Sequence, residues 1–97
     1  MPKIYQDEFI VELGSYLSER GWSVRVAAEK LRIAKGTFWH LLKGEMETTP
    51  SWIGLILASL SSMDDVSDVD LRRLAKASVL AQRSWVERHG KKAGTQR

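Results

Sequence analysis

Few side chains in this sequence are spaced to make or break bonds. The chain has no cysteine, which removes thiolate nucleophiles, thiolate zinc sites and disulfide staples together. His40 has no nucleophile or acidic partner spaced with it for general-base work. His89 reads as a helix C-terminal cation or an inert surface group. The acidic run Asp64, Asp65, Asp68 and Asp70 lacks the central glycine and terminal glutamate of a calcium-binding EF-hand loop. Helix-start electrostatics accounts better for Asp68 and Asp70. With no metal-ligand cluster, phosphate loop or triad-like set, the sequence predicts no catalytic residue, no metal and no cofactor. The chemistry its residue types do offer is recognition of a polyanion. The formal charge over 97 residues is only +3. Its spread is uneven: residues 23–44 carry five basic and one acidic side chain, 45–70 six acidic and none basic, 71–97 eight basic and one acidic. Two positive blocks separated by a negative one predict a positive surface turned towards a polyanion.

The elements that must position these residues read as helices. Apolar residues form 43% of the chain, too many for a disordered polyelectrolyte and enough for one modest core. Phe9, Ile10, Leu13, Tyr16 and Leu17 share one face of a helix that starts at an Asp7 cap and stops at Gly21. Ser23 caps a short second helix to about Leu31, with Val24, Ala27, Ala28 and Leu31 inward. Arg32, Ile33 and Ala34 form a tight connection. A third helix over about 35–43 puts Phe38, Leu41 and Leu42 on one side and Gly36, Trp39, His40 and Lys43 on the other; Gly44 ends it. Thr49 and Pro50 open a fourth helix to about Leu60 that is apolar nearly all round, so deep burial is expected. Its run from Trp52 to Leu60 is too short to span a bilayer.

Ser67, with Asp70 three residues on, opens a fifth helix over about 67–89. Leu71, Leu74, Ala75, Ala81, Trp85 and Val86 form its apolar stripe. Arg72, Lys76 and Arg83 lie opposite, as a solvated face or as contacts for flanking phosphates. Residues 90–97 read as a flexible basic tail.

The stretch from Ser23 to Gly44 has the logic of a helix-turn-helix. Ala28 is small where two short helices cross, Ile33 plugs the turn, and Phe38 and Leu41 pin the second helix on the first. Residues 23–60 resemble the XRE family, the helix-turn-helix domains of lambda repressor and Cro type. The resemblance rests on Ala28-Glu29-Lys30-Leu31, Ile33, Thr37, Phe38, Leu41 and Gly44, then on Pro50-Ser51 and the spacing Leu55, Leu57-Ala58, Leu60. It implies an all-α, five-helix lambda-repressor-like domain with an extended C-terminal helix, spanning 1–89. It also implies that Lys35, Gly36, Thr37, Trp39, His40 and Lys43 face double-stranded DNA in the major groove. The residue types agree. Lys35 and Lys43 can neutralise phosphates or donate to guanine acceptors. Gly36 allows close approach, Thr37 can reach a phosphate or a thymine methyl, and His40 can donate or accept at a base edge. Arg25 is placed for a backbone phosphate. Trp39 has two readings: stacking on sugar or methyl groups, or packing on a neighbouring helix. Two positions depart from the family pattern. Arg32 stands where the turn usually has glycine, and Ala34 where the reading helix usually has a Ser or Thr cap, each at a cost of about 1 kcal/mol.

The function implied is a sequence-specific transcriptional regulator, a repressor acting as a homodimer on a near-palindromic operator. Trp52, Leu80 and Trp85 are the candidate dimer residues, and reading helices about 34 Å apart would match the half-sites. No small-molecule ligand and no membrane contact are expected, and the setting expected is cytoplasmic, of prokaryotic, phage or plasmid origin. The alternative is a protein-interaction module, an antitoxin or adaptor that grips its partner with the fifth helix.

Overall fold

Every helix starts or stops where its own sequence supplies a cap. The structure, a computed structural model, describes residues 7–95, with side-chain surroundings as far as His89. Five helices follow in order: α1 (Glu8–Arg20), α2 (Val24–Leu31), α3 (Lys35–Lys43), α4 (Pro50–Ser61) and α5 (Asp68–Thr95). No strand occurs among the described residues. Asp7 accepts from the Ile10 N–H at 2.9 Å, Ser23 from Val26 at 3.2 Å, Thr49 from Trp52 at 3.3 Å and Ser67 from Asp70 at 3.2 Å. Each bond satisfies one of the donors that a helix start leaves unpaired. Only α3 starts without a side-chain cap, since Ala34 has none to offer.

The first three helices end on a left-handed residue: Gly21 (φ 70°), Arg32 (φ 59°) and Gly44 (φ 79°). In all three the next N–H reaches back five residues, Trp22 to Leu17, Ile33 to Ala28 and Glu45 to His40, at 2.9–3.0 Å. This is the Schellman turn. Arg32 therefore adopts the conformation that glycine would adopt freely, at a cost of about 1 kcal/mol.

The core draws on every helix. Phe9, Leu13 and Tyr16 of α1, Leu31 of α2, Phe38 and Leu41 of α3, Ile53, Ile56 and Leu60 of α4 and Leu74 of α5 are all buried. Burying each of the aliphatic or phenyl groups among them contributes roughly 1.5–3 kcal/mol. α5 lies against α1 and α4, while α2 packs on α3 and α4.

Three sequence expectations change here. α4 is not deeply buried all round. Ile53, Ile56 and Leu60 face the core, Trp52 and Leu57 are partly buried against it, and Leu55 is 47% exposed. Its packed neighbours do not surround it, so the remaining side meets solvent. On α5 the inward positions are Leu74, Ala77, Ser78 and Ala81, while Ala75 and Val86 are exposed. Ser78 is tolerated inside because its hydroxyl donates to the Ala75 carbonyl at 2.6 Å. Finally, α5 does not stop at His89: its backbone is helical through Gly90 to Thr95, so the expected tail is largely helix. A glycine inside a helix costs only about 1 kcal/mol, and no proline follows to break it. No helix of the described residues is long and apolar enough to cross a membrane.

Candidate nucleic-acid interface

α2, the three-residue turn 32–34 and α3 form one unit, and the core holds it from a single side. Phe38 and Leu41 are fully buried beneath α3. That leaves Lys35, Gly36, Trp39, His40 and Lys43 exposed on its outer face, with Thr37 partly covered. Arg25 is exposed at the start of α2, and Arg32 in the turn. The structure thus brings all the sequence-predicted contact residues of α3 onto one element, with Arg25 on the helix packed beside it.

The side chains on this face contact one another. Lys43 Nζ stands 4.1 Å from the centre of the Trp39 ring, and the His40 imidazole meets the same indole edge-on at 5.2 Å. Trp39 is 40% exposed. The ring and cation neighbours recorded for it are His40 and Lys43 of its own helix. Its apolar ring, flanked by a cation and an imidazole, can stack on a sugar or a thymine methyl. A Cβ built on Gly36 would meet nothing within 4 Å, so this fold does not require glycine there. The absent side chain leaves room for close approach from outside.

Electrostatically the face is open. Arg25, Arg32, Lys35 and Lys43 form no ion pair among the described residues. His40 differs. Glu45 Oε1 lies 2.5 Å from its Nδ1, so the histidine read from sequence as lacking an acidic partner has one. The missed signal was local: the turn at Gly44 carries Glu45 back beside His40.

Elsewhere several cations are committed, although Arg72, Lys76 and Arg83 of α5 are exposed and form no ion pair among the described residues. Arg73 donates to Glu12 and, at 2.7 and 2.8 Å, to Glu19. Arg20 donates at 2.7 Å to Asp65 and at 2.9 Å to the Tyr16 hydroxyl. His89 is not inert: its Nε2 is 2.6 Å from Glu47, with Arg88 at 3.5 Å from the same carboxylate. The His89 bond is the chief cause holding Glu47 below the usual carboxylate range, against the opposing effect of burial. His89 also stacks on Trp85, ring centres 4.3 Å apart. Of the candidate dimer residues, Trp52 and Trp85 are partly buried within the chain, and only Leu80 is well exposed, at 43%. No group of three or more His, Cys, Asp or Glu able to hold a metal occurs among the described residues.

Fold and site together define an all-helical protein that carries an exposed cationic and aromatic face on two short helices, its Arg25, Arg32, Lys35 and Lys43 without ion pairs among the described residues. The chain matches no family model, no curated protein and no solved structure.

Proposed function

We propose that this chain is a sequence-specific DNA-binding transcriptional regulator of helix-turn-helix type, with α3 as the reading helix in the major groove. The observation that carries the proposal is the grouping of unpaired cations with exposed rings on one face. Arg25, Arg32, Lys35 and Lys43 have no carboxylate partner among the described residues, and Lys43 and His40 flank the exposed Trp39 ring, whereas Arg20, Arg73 and Arg88 are paired. Free cations around an exposed indole and imidazole suit a phosphate backbone with base edges between its strands. The lambda-repressor-like arrangement, and repression by a homodimer at a near-palindromic operator, belong to the same reading.

Lys35→Ala and His40→Ala test it directly. Each should weaken operator binding on the order of tenfold, as expected for losing one base or phosphate contact, with the unfolding curve unchanged. Parent-like operator binding in both variants rules out α3 as the reader. Affinity should also fall steeply with salt as counterions are released. Sites selected from random DNA should show half-sites one helical turn, about 34 Å, apart.

A second reading has its own observation. A groove of about 640 Å³ between α1 and α5 exposes Val11 and Leu80 between the α1 cap Asp7 with Glu8 and Glu12 of α1 on one side and Lys76 of α5 on the other. It suits a second copy of the chain, as the regulator requires, or the partner of an antitoxin or adaptor. Light scattering separates them: a dimer that Leu80→Glu dissociates supports the regulator, and a monomer supports the interaction module.

A further inference from the structure

Three helices of this protein end in the same turn, and one of the endings carries a different pair of side chains. The backbone bond from the residue after the turn to the carbonyl five places back brings two side chains together. They are Trp22 and Leu17 after α1, Ile33 and Ala28 after α2, and Glu45 and His40 after α3. An apolar contact ordinarily accompanies this turn. The first two pairs follow that rule, with Leu17, Ala28 and Ile33 in the core and Trp22 packed against it. The third sets an imidazole and a carboxylate together in solvent, their side chains 48% and 50% exposed. Packing does not ask for that pair.

Its geometry constrains the imidazole. A carboxylate only accepts hydrogen bonds, so the proton shared over the 2.5 Å between His40 Nδ1 and Glu45 Oε1 belongs to Nδ1. The other ring nitrogen, Nε2, then has a defined role in each charge state. In the neutral ring it is an acceptor, and in the imidazolium it is a donor. Nε2 has no protein hydrogen-bond partner among the described residues. The charged groups around the ring are Glu45, bonded at Nδ1, and Lys43, above the adjoining Trp39.

We infer that Glu45 is a positioning residue that fixes the tautomer of His40 and thereby sets which base edge His40 reads. The inference rests on α3 being the DNA-reading helix. As an acceptor, Nε2 matches the exocyclic amino groups of cytosine and adenine; as a donor, it matches N7 and O6 of guanine, N7 of adenine and O4 of thymine. One base pair of each half-site is therefore read in opposite senses at high and low pH. Glu45→Gln removes the constraint, because an amide can accept from Nδ1–H or donate to a bare Nδ1, and both neutral tautomers become available.

The test selects binding sites from random DNA with the parent and with Glu45→Gln, at about pH 8 and about pH 5, which bracket histidine titration. The parent should lose a preference for an amino-bearing base, cytosine most clearly, at one position per half-site on acidification and gain one for an acceptor-bearing base, guanine or thymine, by roughly five- to tenfold in enrichment. Glu45→Gln should lose preference at that position and keep the rest of the site. Ring-nitrogen NMR of the DNA-free protein at the higher pH should show Nδ1–H alone in the parent and both tautomers in the variant. A selected site whose every position ignores both pH and Glu45→Gln overturns the inference and leaves the DNA-binding reading standing. An Nε2–H tautomer in the parent does the same, as does a variant that unfolds well before the parent, since the pair would then be structural. Failure to select any sequence overturns both readings.

Discussion

The outer face of α3 and the seam between α1 and α5 both carry cations and use them in opposite ways. At the seam Arg73 is gripped by Glu12 and Glu19, bonds that push its own pKa further up and hold Glu19 below the usual carboxylate range. On α3 no carboxylate meets Lys35 or Lys43 among the described residues. Formal charge overstates what the C-terminal block has free: Arg73 and Arg88 hold α5 to the rest of the chain, while Arg72, Lys76 and Arg83 stay exposed and unpaired among the described residues. Availability of charge is decided by pairing, which only the three-dimensional arrangement reveals.

The sharpest way to separate support from surface is to cut α3 from each side. Phe38→Ala removes a side chain with no exposed area from beneath the reading face. It should cost about 3–5 kcal/mol, the usual loss for a buried phenyl ring, which is a large share of the 5–15 kcal/mol a domain holds. Lys35→Ala, one turn away on the outer side, should leave the urea midpoint where it is. If both variants lost stability alike, α3 would have no free face and the contrast would fail.

The local parts of this architecture were legible in the sequence. Asp7, Ser23, Thr49 and Ser67 act as caps because a side chain need reach only three residues along to close the bond. The outer face of α3 follows from helical periodicity against Phe38 and Leu41. What was not legible depends on distance or on how far neighbours enclose a helix. Arg73 joins Glu12 and Glu19 across 61 and 54 residues, and His89 reaches Glu47 across 42. Leu55 and Val86 are as apolar as their buried neighbours, and only the placement of the other helices leaves them in solvent. The His40–Glu45 pair is close in sequence, yet its spacing of five is not a helical neighbour spacing; the left-handed Gly44 makes the contact.

Next in size is a gain. Arg32 holds a left-handed conformation at φ 59° that a side chain resists. Arg32→Gly relieves this strain but adds freedom to the unfolded chain, for a net stabilisation of about 0.5–1 kcal/mol. The same change removes an exposed cation from the proposed DNA face, so affinity and its salt dependence should both drop slightly. A variant that is more stable but binds more weakly sharpens the comparison, because one residue would then serve the surface against the fold. A variant that is less stable would mean that the turn does not take this form in solution.

Smaller still is Arg73→Met, which keeps the aliphatic stem and deletes the charge. Its pairs are solvent-accessible, and such pairs contribute little each. Thermal unfolding should shift down modestly at low salt and converge on the parent at high salt, where screening has already weakened the seam. DNA affinity should stay at the parental value. A marked loss of binding would show that the seam and the reading face are not independent.

The smallest effect expected is a pH slope from the loop between α3 and α4. Glu47 is held below its ordinary value of 4.5 chiefly by its bond from His89. A carboxylate depressed on folding stabilises the fold fully above its unfolded pKa, and that contribution is lost as pH falls through the folded value. Asp7 works the other way, since burial raises its pKa above 3.8 and favours the fold on the acid side. Urea midpoints of the parent measured downwards from pH 4.5 should therefore fall, and Glu47→Gln should flatten part of that slope. Equal slopes in the two proteins would show that the His89–Glu47 bond does not persist in solution. The same loop is tied at its other end by His40 and Glu45. If the reading face depends only on its own turn, Glu47→Gln should change the acid slope of stability and leave the selected DNA sequence untouched.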